Sequence, residues 1–357
     1  MNQQIRFCQS FDGTRIAYAV TGRGPPLVRS PHWLTHLEYE FESPLWKPWI
    51  EALSRDYSYV RMDERACGLS DWDVADISFE AWVRDLEAVV DAAGVERFAL
   101  LGCSQGASIA IEYAVRHPGR VSHLVILGGY ARGWLKRGLP PERVAELEAQ
   151  LKLVEVGWGR DDPAYRHIFS SQFAPGATLE QMNSMSELQR KSASPENAVR
   201  IIRTFFNIDV REVAPRLTCP SLLLHGRGDR RAPFEEGRIL ASLIPGARLV
   251  PLDTENHILL SHEPAFRHFL EELRAFVARS PGQSAEAFAG LTAREAEILE
   301  RIAQGLDNAQ IAAHLGMSEK TVRNNITHIF DKLGVENRSQ AIVRARDRGL
   351  GQQSRPS

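Results

Sequence analysis

Several features that would class a chain of this size are missing. No run of about 18 apolar residues occurs anywhere in its 357 residues, which argues against a membrane-spanning helix. The opening "MNQQIRFCQSFDG" has no basic n-region and no apolar core, so neither secretion nor insertion is expected and the cytoplasm is the default. An excess of charge is also missing: 43 Lys and Arg against 45 Asp and Glu leave a net charge of -2, so any signal for nucleic acid must be local. Cysteine is scarce. Cys8, Cys67, Cys103 and Cys219 are scattered without a C-x-x-C pair, which argues against a disulfide framework and a zinc site. They read as reduced packing residues, and neither a metal nor a cofactor is expected. No internal repeat or low-complexity tract stands out.

What is present is a globular composition, 43% apolar and 25% charged, in a chain long enough for about two domains. Up to about residue 278 short apolar runs alternate with helical patterns: "PPLVRS", "SPLWKPWIEALS", "YSYVRM", "FEAWVRDLEAVVDAAG", "RFALLG", "ASIAIEYAVRH", "SHLVILGG". Strands alternating with helices predict a mainly parallel sheet covered on both faces. From about Ala131 to Val213 the pattern is helical and polar, and strands resume at "SLLLHG" and "ARLVPL". An insertion of this kind between sheet strands predicts a helical lid over the strand ends. Residues 279–290, "RSPGQSAEAFAG", have a linker's composition. The segment 291–357 carries only helical periodicity.

"GCSQG", residues 102–106, lies between the strand-like "RFALL" and the helical "ASIAIEYAVRH". A G-x-S-x-G at a strand-to-helix turn lifts a serine hydroxyl off the sheet, the glycines removing Cβ clashes. Serine chemistry then needs a base, an acid to orient it and donors for an oxyanion. The partners should follow as acid and then histidine, each after a later strand. "SLLLHGRGD" ends in Asp229, and "ARLVPLDTENH" ends in His257. Asp253 and Glu255 are rival acids near His257, but the position after "LLLHG" favours Asp229. His225 and His262 read as structural or surface residues, and Cys103 lies on the wrong side of the turn to attack.

With "MDERACGLSD", a D-x-R-G-x-G-x-S-like turn, these stretches resemble the α/β-hydrolase family over about residues 5 to 278. The resemblance implies an α/β-hydrolase fold with Ser104 as nucleophile, Asp229 as orienting acid and His257 as general base. It also implies oxyanion donors from the backbone N–H groups of Gln105 and Trp33. Two positions depart from the family pattern. Pro31 and His32 stand where the family carries His-Gly, which bears on the oxyanion loop, and Ala66 replaces a glycine of the turn. Phe169, Phe173, Met182 and Met185 of the insertion, with His32 and Trp33, are candidates to line an apolar cavity over Ser104.

Beyond Leu291, Thr292 with Glu295 and Asp307 with Gln310 read as capping boxes opening two helices, and Ser318 as the cap of a third. Gly305 and Gly316 suit helix C-termini that need positive φ. On the third helix Val322, Ile326, Ile329, Phe330 and Leu333 form one stripe, with Lys320, Asn324 and Thr327 opposite and Arg323, Thr321, His328 and Lys332 on the flanks. Ser318 to Arg348 holds seven Lys or Arg against four Asp or Glu, an excess suited to phosphates. This stretch, "LTAREAEILERIAQGLDNAQIAAHLGMSEKTVRNNITHIFDKLGVENRSQAI", resembles the LuxR-type helix-turn-helix over about residues 287 to 350. The resemblance implies a small four-helix domain that binds double-stranded DNA, usually as a homodimer. Arg323, Asn324 and Thr327 would lie nearest the bases, and Lys320, Thr321 and Lys332 nearer the backbone. Two readings follow. One is a transcriptional regulator whose hydrolase-like domain senses a small molecule, with or without slowly cleaving it; the other is an active esterase or lactonase with a fused DNA-binding module.

Overall fold

The structure, a computed structural model, describes residues 2–33, 35–160, 165, 170–278, 290–333, 335, 337, 338, 341, 342, 345, 350 and 351. The chain divides into two compact units, Met1–Ala278 and Arg279–Ser357. The expected linker, 279–290, lies outside the described residues except at its last position, and so does Phe169.

The first unit is built on eight strands: β1 (Gln4–Gln9), β2 (Arg15–Thr21), β3 (Pro26–Arg29), β4 (Ser58–Met62), β5 (Phe98–Cys103), β6 (Val121–Leu127), β7 (Ser221–Gly226) and β8 (Arg248–Leu252). They form one sheet in the order β1-β2-β4-β3-β5-β6-β7-β8. From β4 onward every pairing is parallel, with β5 against β3 and β6 in registers such as Val28 with Leu100 and Leu100 with Leu124. Buried on both faces, these strands read as unbroken apolar runs, which is why "FALLG" and "SLLLHG" were visible in the sequence. β1 and β2 form an antiparallel edge in which β2 buries Ile16 to Ala19 and β1 stays largely outside the core. Most of β1 faces water, including Phe7, and a strand without a buried face has no run to read.

Helices α1 (Leu37–Glu42), α2 (Lys47–Ser54), α3 (Phe79–Ala92) and α4 (Gln105–Arg116) fill the connections. Ser78 caps α3 by accepting from Ala81 N, and the helix turns Trp82, Leu86 and Val89 inward. Between β6 and β7 lie α5 (Pro141–Gly157), α6 (Leu179–Ser192) and α7 (Pro195–Phe206). The insertion is tied down by polar contacts: Tyr39 donates to Ser184 O at 3.1 Å, and Gly68 N to Ser192 O at 2.7 Å. After β7 come α8 (Phe234–Leu243) and α9 (Pro264–Val277).

The second unit contains α10 (Ala293–Ala303), α11 (Asn308–Leu315) and α12 (Glu319–Leu333). Both expected capping boxes are formed, at Thr292 with Glu295 and at Asp307 with Gln310. Gly316 ends α11 at φ +63, a conformation that L side chains disfavour. Ser318 Oγ then accepts from Thr321 N at 3.1 Å to open α12. Ile298, Leu299, Ile302, Ile311, Val322, Ile326, Ile329 and Leu333 form the core, joined by Ala341 and Ala345. Much of the expected fourth helix lies outside the described residues.

Candidate functional sites

At the end of β5 the backbone turns at Ser104 with φ +53 and ψ -125, a strained conformation for a residue with a Cβ. The two flanking glycines are there for space. A Cβ on Gly102 would sit 2.6 Å from Ala107 Cα, and one on Gly106 would sit 2.5 Å from Pro31 O and 2.7 Å from Ser30 Oγ. Ser30 Oγ itself donates to Gly106 O at 2.7 Å, so the loop after β3 packs directly on the turn. Ala66, where the family pattern has glycine, also holds positive φ, at +66.

The loops after β7 and β8 bring Asp229 and His257 together. His257 Nδ1 lies 2.7 Å from Asp229 Oδ2, while Asp229 Oδ1 accepts from the backbone N–H groups of Arg231 and Ala232 at 2.8 and 2.9 Å. Burial alone would raise the Asp229 carboxyl; the imidazole and the Ala232 N–H outweigh it and hold the group below its usual range. With Nδ1 committed to the carboxylate, Nε2 is left for a second partner. His257 and Ser104 line one cavity, and Asp229 is tied to it through its hydrogen bond with His257. The rival Asp253 and Glu255 are exposed. His225 is buried, its Nε2 lying 2.6 Å from Ala232 O.

That cavity is walled by His32, Trp33, Trp46, Trp49, Leu127, Phe173, Met185, Leu188 and Ile258. Phe173 and Met185 were expected there; Met182 lines neither this cavity nor its neighbour. Trp46 and Trp49 were not foreseen, because indoles in a helical pattern read as ordinary core. His32 Nδ1 lies 2.8 Å from Trp33 O, and a carbonyl only accepts, so Nδ1 carries the proton. Burial, reinforced by the Arg29 charge, pushes this imidazole down to about 4, so it is neutral at pH 7. Its Nε2 is a buried acceptor with no partner among the described residues.

Ser104 also lines a second, smaller chamber with Trp33, Gln105, Tyr130, Trp134, Phe173, Phe205, Arg231 and Ala232. Trp33 and Gln105, the two residues expected to donate backbone N–H groups, meet Ser104 there. Gln105 is the first residue of α4, where backbone N–H groups have no intrahelical partner. Its side chain donates to buried Glu64 at 2.7 Å. Burial, then the Asp85 charge, raises the Glu64 carboxyl well above the usual range. Neither Glu64 nor Arg231 was singled out from the sequence: one sits at a variable position of a turn motif, and the other belongs to "DRRA", which reads as surface.

In the second unit α12 separates its faces as its periodicity predicts. Val322, Ile326, Ile329 and Leu333 are buried, and Lys320, Thr321, Arg323, Asn324 and Thr327 are exposed. Lys332 is engaged differently. Its ammonium donates to both carboxylate oxygens of Glu295 on α10, at 2.8 and 2.6 Å. The hydrogen bond from Lys332, then the Thr292 N–H, lowers Glu295 to about 2. A phosphate would have to compete with that carboxylate for the lysine. Among the described residues no group of His, Cys, Asp or Glu could hold a metal ion, and no helix is long and apolar enough to cross a membrane.

A strained serine after a central strand, an aspartate–histidine pair after two later ones and a capped helix-turn-helix define a hydrolase-fold unit joined to a nucleic-acid-binding unit. Comparison with known proteins agrees. Residues 38–264 match the family described as alpha/beta hydrolase fold, and the chain belongs to that family. Residues 289–345 match the luxR family of bacterial regulatory proteins and form a LuxR-type helix-turn-helix DNA-binding domain. The chain is similar to the AB hydrolase superfamily protein YisY of Bacillus subtilis, 27% identical over 72% of this chain and 92% of that one. It is similar also to the pimeloyl-[acyl-carrier protein] methyl ester esterase of Aliivibrio salmonicida, 26% identical over 74% of this chain and 96% of the other. Among solved structures, the esterase EaEST from Exiguobacterium antarcticum superposes with a TM-score of 0.63 at 25% identity, covering 76% of this chain and 98% of that one.

Proposed function

We propose that this DNA-binding regulator takes a small carbonyl compound into the cavity at Ser104, cleaves it slowly, and reports its presence through α12. The observation that carries the reading is the 2.7 Å Asp229–His257 pair, whose imidazole lines the same cavity as Ser104. In the proposed reaction Ser104 Oγ attacks an ester carbonyl carbon as His257 Nε2 takes the hydroxyl proton. Asp229 orients the ring, and the N–H groups of Gln105 and Trp33 receive the oxyanion. Collapse breaks the bond to the alkoxy group, which leaves with the proton from His257. Water, activated by the same imidazole, then releases the acid and restores the serine. Slow turnover follows from the oxyanion loop, where Pro31, His32 and Trp33 stand without a glycine. The proposed output is a difference in affinity for DNA between the free and ligand-bound forms, in a cytoplasmic homodimer, with Arg323, Asn324 and Thr327 at base edges and Lys320 and Thr321 at phosphates.

Labelling with a fluorophosphonate tests the nucleophile. The full chain should be modified once, at Ser104, and Ser104→Ala should not react; equal labelling of the variant would refute the assignment. The second reading, an active esterase with an accessory DNA-binding module, draws support from the esterase among the relatives. It requires that ligand occupancy leave affinity for DNA unchanged.

A further inference from the structure

The chamber behind Ser104 holds a guanidinium with no acid paired to it among the described residues. Arg231 lies with its Cζ 4.8 Å from the Phe173 ring centre, 5.6 Å from that of Trp134 and 5.9 Å from that of Phe205. Among the described residues it makes no ion pair, and its one side-chain hydrogen bond is a long 3.5 Å contact from Nη1 to Gln172 Oε1. The nearby carboxylates are taken. Asp229 is committed to His257 and to two backbone N–H groups. Glu236 accepts from Arg132 at 2.7 Å and lies 3.7 Å from Arg137, whose own guanidinium stands over Trp134. Two arginines therefore share Glu236, and among the described residues Arg137 Nη2 is buried without a partner. Burial pulls the Arg231 guanidinium down to about 10, so it remains a cation at neutral pH. Aromatic faces partly satisfy such a group but give its N–H donors no acceptor.

We infer that Arg231 is the anchor for a ligand carboxylate: the compound taken in beside Ser104 is a small organic acid bearing an ester or lactone. Its apolar part lies toward Trp46, Trp49 and Leu188, and its anionic end lies on Arg231. The two chambers share Trp33, Ser104 and Phe173, so one molecule spanning them passes its reacting carbonyl over the serine. A planar guanidinium held between rings offers two parallel donors to a carboxylate, and exclusion of water strengthens the contact. A neutral ester of equal length would leave those donors desolvated and unpaired, so the chamber selects against it.

The inference rests on the reading that ligand enters the Ser104 cavity, but not on turnover, so the test uses Ser104→Ala full-length protein and measures binding. The probes are monomethyl adipate and methyl hexanoate, which differ in a terminal carboxylate against a methyl. By calorimetry the Ser104→Ala protein should bind monomethyl adipate about 10- to 100-fold more tightly. Adding Arg231→Gln should erase that preference and leave methyl hexanoate unchanged, while Arg231→Lys should keep part of it. Equal affinity for the two probes, including no measurable binding of either, overturns the inference, as does equal weakening of both by Arg231→Gln. Fluorophosphonate labelling of protein with Ser104 intact fails or succeeds separately, so loss of the nucleophile assignment and loss of the anion site are distinguishable.

Discussion

The candidate triad of the hydrolase-fold unit comes from three distant loops: Ser104 after β5, Asp229 after β7 and His257 after β8. Each is buried or half-buried, and the backbone there carries strain. The residues of the LuxR-type domain proposed to face DNA, Lys320, Thr321, Arg323, Asn324 and Thr327, come from two turns of one helix and stand exposed. A site on a helix face needs only the helix to form. A site between loops needs the whole sheet in register, since a shift at any of three strand ends would part the serine from its partners. The hydrolase-fold unit should therefore respond sharply to changes in packing, and the DNA-binding face to changes in charge.

The largest expected effect separates the units outright. Ser104→Ala should lower ester turnover by about a thousandfold or more and abolish fluorophosphonate labelling, while DNA binding in a mobility-shift assay without ligand stays as it was. Turnover that survives the substitution would place the chemistry elsewhere. Next comes packing. Gly106→Ala adds a Cβ 2.5 Å from Pro31 O, so the oxyanion loop must move, at a cost of about 2 kcal/mol, with loss of turnover. Urea unfolding followed by tryptophan fluorescence reads this unit alone, because all seven tryptophans precede residue 159. An unchanged midpoint would mean the loop and turn are not held as described.

Smaller effects belong to the DNA-binding unit. Arg323→Ala should weaken binding to a preferred duplex by about 10- to 100-fold and relax its sequence preference, without touching labelling of Ser104. Lys332→Gln should do less to DNA affinity than Lys320→Gln, because Glu295 already holds the lysine. Its effect should appear in stability, below about 1 kcal/mol since the side chain is 38% exposed. The sign with pH follows from the lowered Glu295 carboxyl. Its contribution is present above the ordinary glutamate range and is lost as pH falls toward about 2, so the Lys332→Gln difference should vanish in acid. Helix content followed by circular dichroism across that range measures it.

The same contrast explains what could be read from the sequence. The helix-turn-helix was legible almost residue by residue, because caps, periodicity and the exposed face are local properties. What escaped was Lys332, since no helical wheel shows a glutamate reaching across from another helix. In the hydrolase-fold unit the parallel strands and the order serine, aspartate, histidine were legible, each being marked by an apolar run just before it. Of the edge hairpin, β1 left no run because it is mostly exposed, while the buried run of β2, Ile16 to Ala19, stands without a helix pattern between it and β1 to mark it as part of the alternation. Trp46, Trp49 and Arg231 were not legible either: an indole or a guanidinium becomes a cavity wall only when the sheet has brought other loops to face it.

Glu64 offers the finest test of how the two units differ, because its sign is opposite to that of Glu295. Glu295 lies in the LuxR-type domain beside an ammonium and prefers to be ionised. Glu64 is buried behind the serine turn, where desolvation and the Asp85 charge push its carboxyl well above the usual range, with Arg65 offsetting only part. In the folded chain it therefore holds its proton to a higher pH than in the unfolded chain, where a glutamate releases it around pH 4.3. The folded state then binds more protons than the unfolded one, so this group makes stability fall as pH rises above that value. A glutamine has the neutral shape at every pH and still accepts from the Gln105 side chain. Glu64→Gln should therefore leave the tryptophan-detected unfolding midpoint nearly unchanged near pH 5 and raise it progressively toward pH 8. Wild-type and variant curves that run parallel across that range would show the carboxyl to be ionised, and the pocket behind Gln105 to be more polar than its burial implies.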